Sequence, residues 1–173
     1  MKHIILFTLC LLSLNVRAQE NFDFSKKQIP VWELAKENTI AVARAMPENN
    51  YKYTPVEGVK SFGQQMTHIS NSLLSMHTRF ILKESYIGKE KRASGMTKTQ
   101  IINDLEKSFN TVLESLKSLK DSDLQSIGKS GGVFSLTKWQ SLLFMGDHIT
   151  NHRAKAVLYL RLNNIKPPQY GYN

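Results

Sequence analysis

Apolar residues recur at three- and four-residue spacing in four stretches of the chain, and no stretch alternates with the period of two expected of a strand. Residues 62–82 carry Phe62, Met66, Ile69, Leu73, Met76 and Phe80 along one line. Residues 98–119 carry Ile101, Ile102, Leu105, Phe109, Val112, Leu113 and Leu116. Residues 138–163 carry Trp139, Leu142, Leu143, Gly146, Ile149, Ala156, Val157 and Leu160. An earlier stretch, from residue 25 or 30 to Ala45, sets Val31, Leu34, Ala35, Asn38, Val42 and Ala45 on one broad face. Each stretch opens with a Ser or Thr followed three residues later by Gln: Ser25/Gln28, Ser61/Gln64, Thr97/Gln100 and Thr137/Gln140. Such a pair closes a capping box, the hydroxyl accepting from the N3 amide while Gln reaches back to the cap amide. Pro30 is at ease only in a first turn, which moves the expected start of the first helix toward Gln28–Ile29. Pro47 stops that helix, and Lys166-Pro167-Pro168 ends the last one. Residues 47–60, 86–96 and 120–136 read as connections, the last holding Gly128, Gly131 and Gly132. Four amphipathic helices with one apolar side each pack most simply as an all-α four-helix bundle.

The first residues stand outside this pattern. Lys2 precedes a nearly unbroken apolar run from Ile4 to Leu14, and Val16-Arg17-Ala18 supplies small residues at the −3 and −1 positions of a cut after Ala18. This is the layout of a secretory signal peptide. The run is too short for the roughly 20 residues that span a bilayer. Residues 1–18 are therefore expected to be a signal peptide and residues 19–173 the folded domain. The protein is then exported, to the periplasm of a Gram-negative bacterium or into the medium, with no membrane span after cleavage.

Composition narrows the chemistry. The only cysteine, Cys10, leaves with the signal peptide, so the mature chain has no disulfide, no thiolate zinc cluster and no cysteine nucleophile. Cleavage also removes Lys2 and Arg17, which lowers the formal charge from +9 to +7. Lys83, Lys89, Lys91, Arg92 and Lys98 cluster around one connection. The plain reading is a solvated basic loop; the alternative is a site for an acidic polymer. Nucleic acid is not an expected partner of an exported protein.

Four histidines remain: His68, His77, His148 and His152. His148 and His152 are four residues apart on one predicted helix, which stacks their rings one turn apart on one face. Two imidazoles so placed hold a divalent cation weakly, and a third ligand must come from another helix. His68 and His77 are the candidates. His68 lies on a polar line with Ser61, Gln65, Ser72 and Ser75, whereas His77 lies between Leu73 and Ile81 and reads as a core histidine. Ile149 follows His148 where a zincin protease carries its catalytic Glu. No histidine has the Glu three residues before it that ferritin-like di-iron bundles use, and there is no G-x-S-x-G elbow.

The arrangement resembles the DinB-like family of four-helix bundle metalloproteins. The likeness rests first on Tyr53-Thr54-Pro55 followed by Ser61-Phe62-Gly63-Gln64-Gln65-Met66-Thr67-His68. It rests also on His148-Ile149-Thr150-Asn151-His152-Arg153, continuing through Tyr159-Leu160-Arg161 to Pro167-Pro168-Gln169-Tyr170. It spans nearly all of the mature chain. It implies a DinB-like bundle with His68, His148 and His152 as ligands of a divalent ion, Zn²⁺ or Ni²⁺. Three histidines leave a coordination position for water or substrate, the arrangement of catalytic rather than structural sites. Asn151, Ala154 and Lys155 depart from the family pattern, and Asn151 and Lys155 count against an inherited substrate pocket. Gln65 and Tyr159 neighbour the ligands on their helices and are candidates to support them from behind, although a solvated or packing role is the expectation for each. Thiol-dependent transfer, known in the family, fits an exported protein poorly. The expected function is a metal-dependent hydrolase or transferase acting on a small molecule. The alternative is a noncatalytic metal-binding or stress-response protein. Family members often dimerise through bundle faces, so a homodimer is carried as an expectation.

Overall fold

The computed structural model describes residues 23–128 and 135–171. The expected signal peptide, and Gly131 and Gly132 of the last connection, lie outside the described residues. The elements are α1 (Phe24–Ala45), α2 (Phe62–Met76), α3 (Lys98–Ser118), the single turn α4 (Asp121–Leu124) and α5 (Lys138–Leu162). No β-strand occurs among the described residues; one isolated antiparallel bridge joins Ile127 to Thr137. The four long helices close a ring in which α1 packs on α3, α3 on α2, α2 on α5 and α5 on α1. The expected all-α four-helix bundle is the observed architecture.

Three of the four expected capping boxes form. Ser61, Thr97 and Thr137 each accept from the N3 amide and receive the Gln side chain at their own amide. The first does not. Ser25 lies inside α1, and Asp23 is the cap, its carboxylate accepting from the Lys26 amide at 2.9 Å. The helix also runs through Pro30 instead of starting near it. Tertiary contacts hold the additional turn. The Asp121 carboxylate accepts from the amides of Phe24 (3.2 Å) and Ser25 (3.5 Å), and Phe24 meets Trp139 edge-on at 6.2 Å.

The apolar lines of α2 and α3 face the core as expected, with Phe62, Met66, Ile69, Leu105, Phe109 and Leu116 fully enclosed and Phe80 and Ile102 half-buried. The face of α1 is rotated from expectation. Trp32, Thr39, Ile40 and Ala43 are buried beside Asn38 and Val42, while Val31 is exposed. Trp32 decides this by packing edge-on against Phe109 at 6.4 Å; a large aromatic ring buries more area than a valine. On α5, Leu143 faces solvent while Met145, His152, Arg153 and Tyr159 turn inward. Beyond Met76, α2 widens into a π-helical segment, His77–Leu82, that stops at Lys83, whose φ of 63° is left-handed.

The connection 47–60 folds back onto the start of α2. Gly63 donates to the Tyr51 carbonyl at 2.7 Å, and a Cβ at position 63 would stand 3.1 Å from that oxygen. The close approach favours glycine, since a larger residue would make the Tyr51 carbonyl give by a few tenths of an ångström. It sets Lys60 beside the α2 N-terminus, where its carbonyl is used by the site described next.

Candidate metal centre

The Ser61 capping box fixes the rotation of α2 (Gln64 amide to Ser61 Oγ 3.2 Å; Ser61 amide to Gln64 Oε1 2.7 Å). With Met66, Ile69 and Leu73 committed to the core, His68 falls at the core's edge, its side chain a quarter exposed. On α5 the buried Ile149 and Ala156 set the inward face, and His148 and His152 stand one turn apart beside it. The two helices bring the three rings together. Ring centroids lie 5.2 Å apart for His68 and His148, 4.4 Å for His68 and His152, and 4.6 Å for His148 and His152. One nitrogen from each ring lies within 4.8 Å of the other two. Zinc-like ions hold imidazole nitrogens at about 2.0–2.1 Å. A tetrahedral arrangement then separates ligand nitrogens by roughly 3.3 Å, within reach of ring shifts of under about 1 Å.

The electrostatics suit ligation. Burial lowers the pKa of all three imidazoles. His148 and Lys60 lower His68 further, and His152 is pushed down to about 4 by burial and by the other two rings. All three are neutral at pH 7, the form that offers a lone pair to a metal.

Each ring is tied differently. Nδ1 of His152 lies 2.7 Å from Gln65 Oε1. Gln65 Nε2 donates to the Tyr159 hydroxyl at 3.4 Å, and that hydroxyl donates to the Lys60 carbonyl at 3.1 Å. Read from the carbonyl back, the chain makes Gln65 Oε1 an acceptor and puts the His152 proton on Nδ1, leaving Nε2 bare. His68 has Ser72 Oγ at 3.3 Å from Nε2 and Glu90 Oε1 at 3.9 Å from Nδ1. His148 Nε2 is buried without a hydrogen-bond partner, one of two such side-chain atoms among the described residues. An orphaned buried nitrogen is costly, and in this cluster a cation would satisfy it. The donor set fits a divalent ion.

Two open cavities flank the cluster. One, of about 630 Å³, reaches from Lys60 to Ser94; the other, of about 460 Å³, runs past Met76, Tyr86 and Phe144 to His148. His68, Asn71 and Glu90 line both. A further cavity, of about 770 Å³, lies around His77 on the α3 side and shares no residue with the cluster.

The three histidines expected as ligands are thus brought together. His77 is not with them; it is buried with Nε2 2.6 Å from Ser115 Oγ, a core histidine as its sequence context suggests. Asn151 and Lys155 are exposed. The expected packing role of Gln65 is corrected, since its buried carboxamide bonds directly to His152. The basic connection is partly spent internally. The Lys91 ammonium is bound by both Asp104 oxygens at 2.6 and 2.8 Å, and Lys98 bonds the carbonyls of Arg44 and Met46 that end α1.

Glu90 and Asn71 went unnoticed in the sequence, and Arg153 was read there only as part of the motif that carries the resemblance. Glu90 lies on an irregular segment that carries no periodicity, and Asn71, on α2, bonds to that segment at Lys91. Arg153, buried, donates to the Ala35 carbonyl (3.3 Å), to Thr39 Oγ1 (3.4 Å) and to the Tyr170 hydroxyl (2.8 Å), joining α5 to α1 and the C-terminal segment. A charged residue next to a ligand on an inward face was the available signal.

A family model described as the DinB superfamily matches residues 32–156, a span that includes all three histidines. A DinB-like protein from Bacillus cereus ATCC 10987 superposes with a TM-score of 0.70 at 18% identity, over 81% of this chain and 93% of that one. A DinB-like protein from Bacillus subtilis superposes with a TM-score of 0.65 at 15% identity, over 83% and 97%. At these identities the structures establish a shared fold. No curated protein matches the chain.

Proposed function

The chain belongs to the DinB superfamily, and from that premise we propose that it is an exported divalent-metal-binding protein acting on a small molecule. Its metal site is formed by His68, His148 and His152. The observation that carries the reading is the buried, partnerless Nε2 of His148, one turn from a His152 whose Nε2 is left bare by the Gln65 contact. A bound Zn²⁺ or Ni²⁺ would supply Lewis acidity toward a substrate oxygen or water. The protein's own groups do the rest. Gln65 and Tyr159 hold the His152 ring in one tautomer and orientation, and burial keeps the three imidazoles neutral. Glu90 faces His68 from the segment between α2 and α3.

The flanking cavities favour handling of a small molecule over metal storage, because the cluster opens to space large enough for an organic substrate. Export rests on the N-terminal sequence pattern alone and is read directly by finding Gln19 as the first residue of the secreted chain.

The functional test is turnover by the zinc- or nickel-loaded mature protein on a panel of esters, amides and phosphoesters. Metal-dependent turnover that disappears in His148→Ala supports the enzyme reading. Metal bound at one equivalent with no turnover across the panel supports the noncatalytic alternative.

A further inference from the structure

We propose that the cavity between Lys60 and Ser94 is an oxyanion subsite: the substrate of the three-histidine site carries a carboxylate or phosphate group that is held by Lys60 and Arg92. The proposal rests on the metal-dependent reading above and names the substrate's chemical class.

Most polar groups on this wall are already spent. Thr67 Oγ1 donates to the Gly63 carbonyl at 2.9 Å, and the Gln64 carboxamide oxygen receives the Ser61 amide. The Asn71 carboxamide donates to the Lys91 carbonyl at 2.8 Å and accepts from the Lys91 amide at 3.3 Å. The Lys91 ammonium belongs to Asp104. Lys60 and Arg92 are left, exposed, and neither side chain has a hydrogen bond or ion pair among the described residues. The Gln64 amide NH₂ and the Ser94 hydroxyl add further donors. Glu90 is the one carboxylate on the wall, and it stands at the histidine side, 3.9 Å from His68 Nδ1. A ligand group that enters between Lys60 and Arg92 meets donors and positive charge, so it must accept hydrogen bonds and carry negative charge.

Two further observations point the same way. The Asn71 and Asp104 contacts pin residue 91 to α2 and α3, which holds the adjacent Arg92 at the cavity instead of leaving it on a free loop. Three neutral imidazoles contribute no charge to offset a divalent ion, unlike a carboxylate-rich site. Lys60 and Lys155 stand close enough for their fields to reach both His68 and His152, while the carboxylates of Glu90 and Asp147 reach only His68 and His148, so the balance beside the ion favours an anionic ligand.

The test uses the cobalt-loaded mature protein, whose visible spectrum reports ligands arriving at the ion, with metal content measured on the same samples. The probes are acetate, the dicarboxylates malonate, succinate and glutarate, and phosphonoacetate. The wild type is compared with Lys60→Ser/Arg92→Ser; both side chains are exposed and neither bonds to a histidine, so the fold and the three ligands are retained, and acetate corrects for the general loss of positive charge. A second anionic group that reaches the subsite makes at least one two-headed probe bind at least 10-fold tighter than acetate. The double variant loses that advantage over acetate while keeping its cobalt. The relative strength of phosphonoacetate and malonate tells a phosphate-type from a carboxylate-type substrate. If every two-headed probe binds like acetate, or the double variant keeps the advantage, the subsite is overturned while the metal site stands. If the wild type takes up no cobalt, the metal reading fails and the subsite proposal falls with it.

Discussion

Gln65 Oε1 lies 2.7 Å from Nδ1 of His152, and this one contact decides which nitrogen of that ring is free. The contact is buried and its far end is anchored, through Tyr159, on the Lys60 carbonyl. Outer partners of this kind orient a ligating histidine and fix its tautomer.

Replacing that partner should therefore weaken metal binding without unfolding the bundle. Gln65→Leu is expected to cost roughly 10–100-fold in zinc affinity. Gln65→Glu, which restores an acceptor for Nδ1–H, is expected to recover most of it. Competition with a chromophoric chelator measures both; an unchanged affinity in Gln65→Leu would remove Gln65 from the site.

Asn71 clamps the backbone of Lys91 at both its carbonyl and its amide, much as a neighbouring strand would. Asn71→Ala should release the segment between α2 and α3. Amide exchange around residues 88–94 is expected to quicken, while α3 keeps its protection. The stability loss should be about 1 kcal/mol, because the freed backbone groups regain water. Unaltered exchange would mean that the Lys91–Asp104 pair alone holds the segment.

His77 supplies a pH dependence separate from the metal site. Burial lowers its pKa, so the unfolded chain binds a proton more readily than the folded one. Stability from keeping this ring neutral is fully present above the unfolded value of about 6.5. It is lost as the pH falls through the depressed folded value. Urea unfolding of metal-free protein should show a smaller loss of stability between pH 7.5 and pH 5 in His77→Asn than in wild type. Equal losses would show that His77 does not contribute.

Ser25 has a buried hydroxyl without a partner among the described residues, although its amide is used by Asp121. Ser25→Ala removes a group that pays a desolvation penalty for no bond. It should leave stability unchanged or raise it by up to about 1 kcal/mol, read from the thermal midpoint. A clear loss would mean that the hydroxyl is bonded in solution.

These residues also show where sequence reasoning holds and where it stops. The capping boxes at Ser61, Thr97 and Thr137 place three helix starts, because both halves of each box are local. Ser25 misled because Asp23 competes for the same first turn and distant Asp121 settles the outcome. The face of α1 was misjudged for a related reason: its periodicity allowed two rotations, and contact between Trp32 and Phe109 chooses. His148 and His152 were legible as a pair from their spacing, and His68 from its resemblance to a known motif. Glu90, Asn71 and Lys91 were not, because their meeting depends on an irregular segment crossing two helices.

Elemental analysis of the purified mature protein, wild type beside His148→Ala, tests the central claim most directly. Near one equivalent of divalent metal in the wild type, lost in the variant, is the predicted result. No metal after reconstitution with zinc or nickel, or equal metal in both proteins, would contradict a site built on His68, His148 and His152.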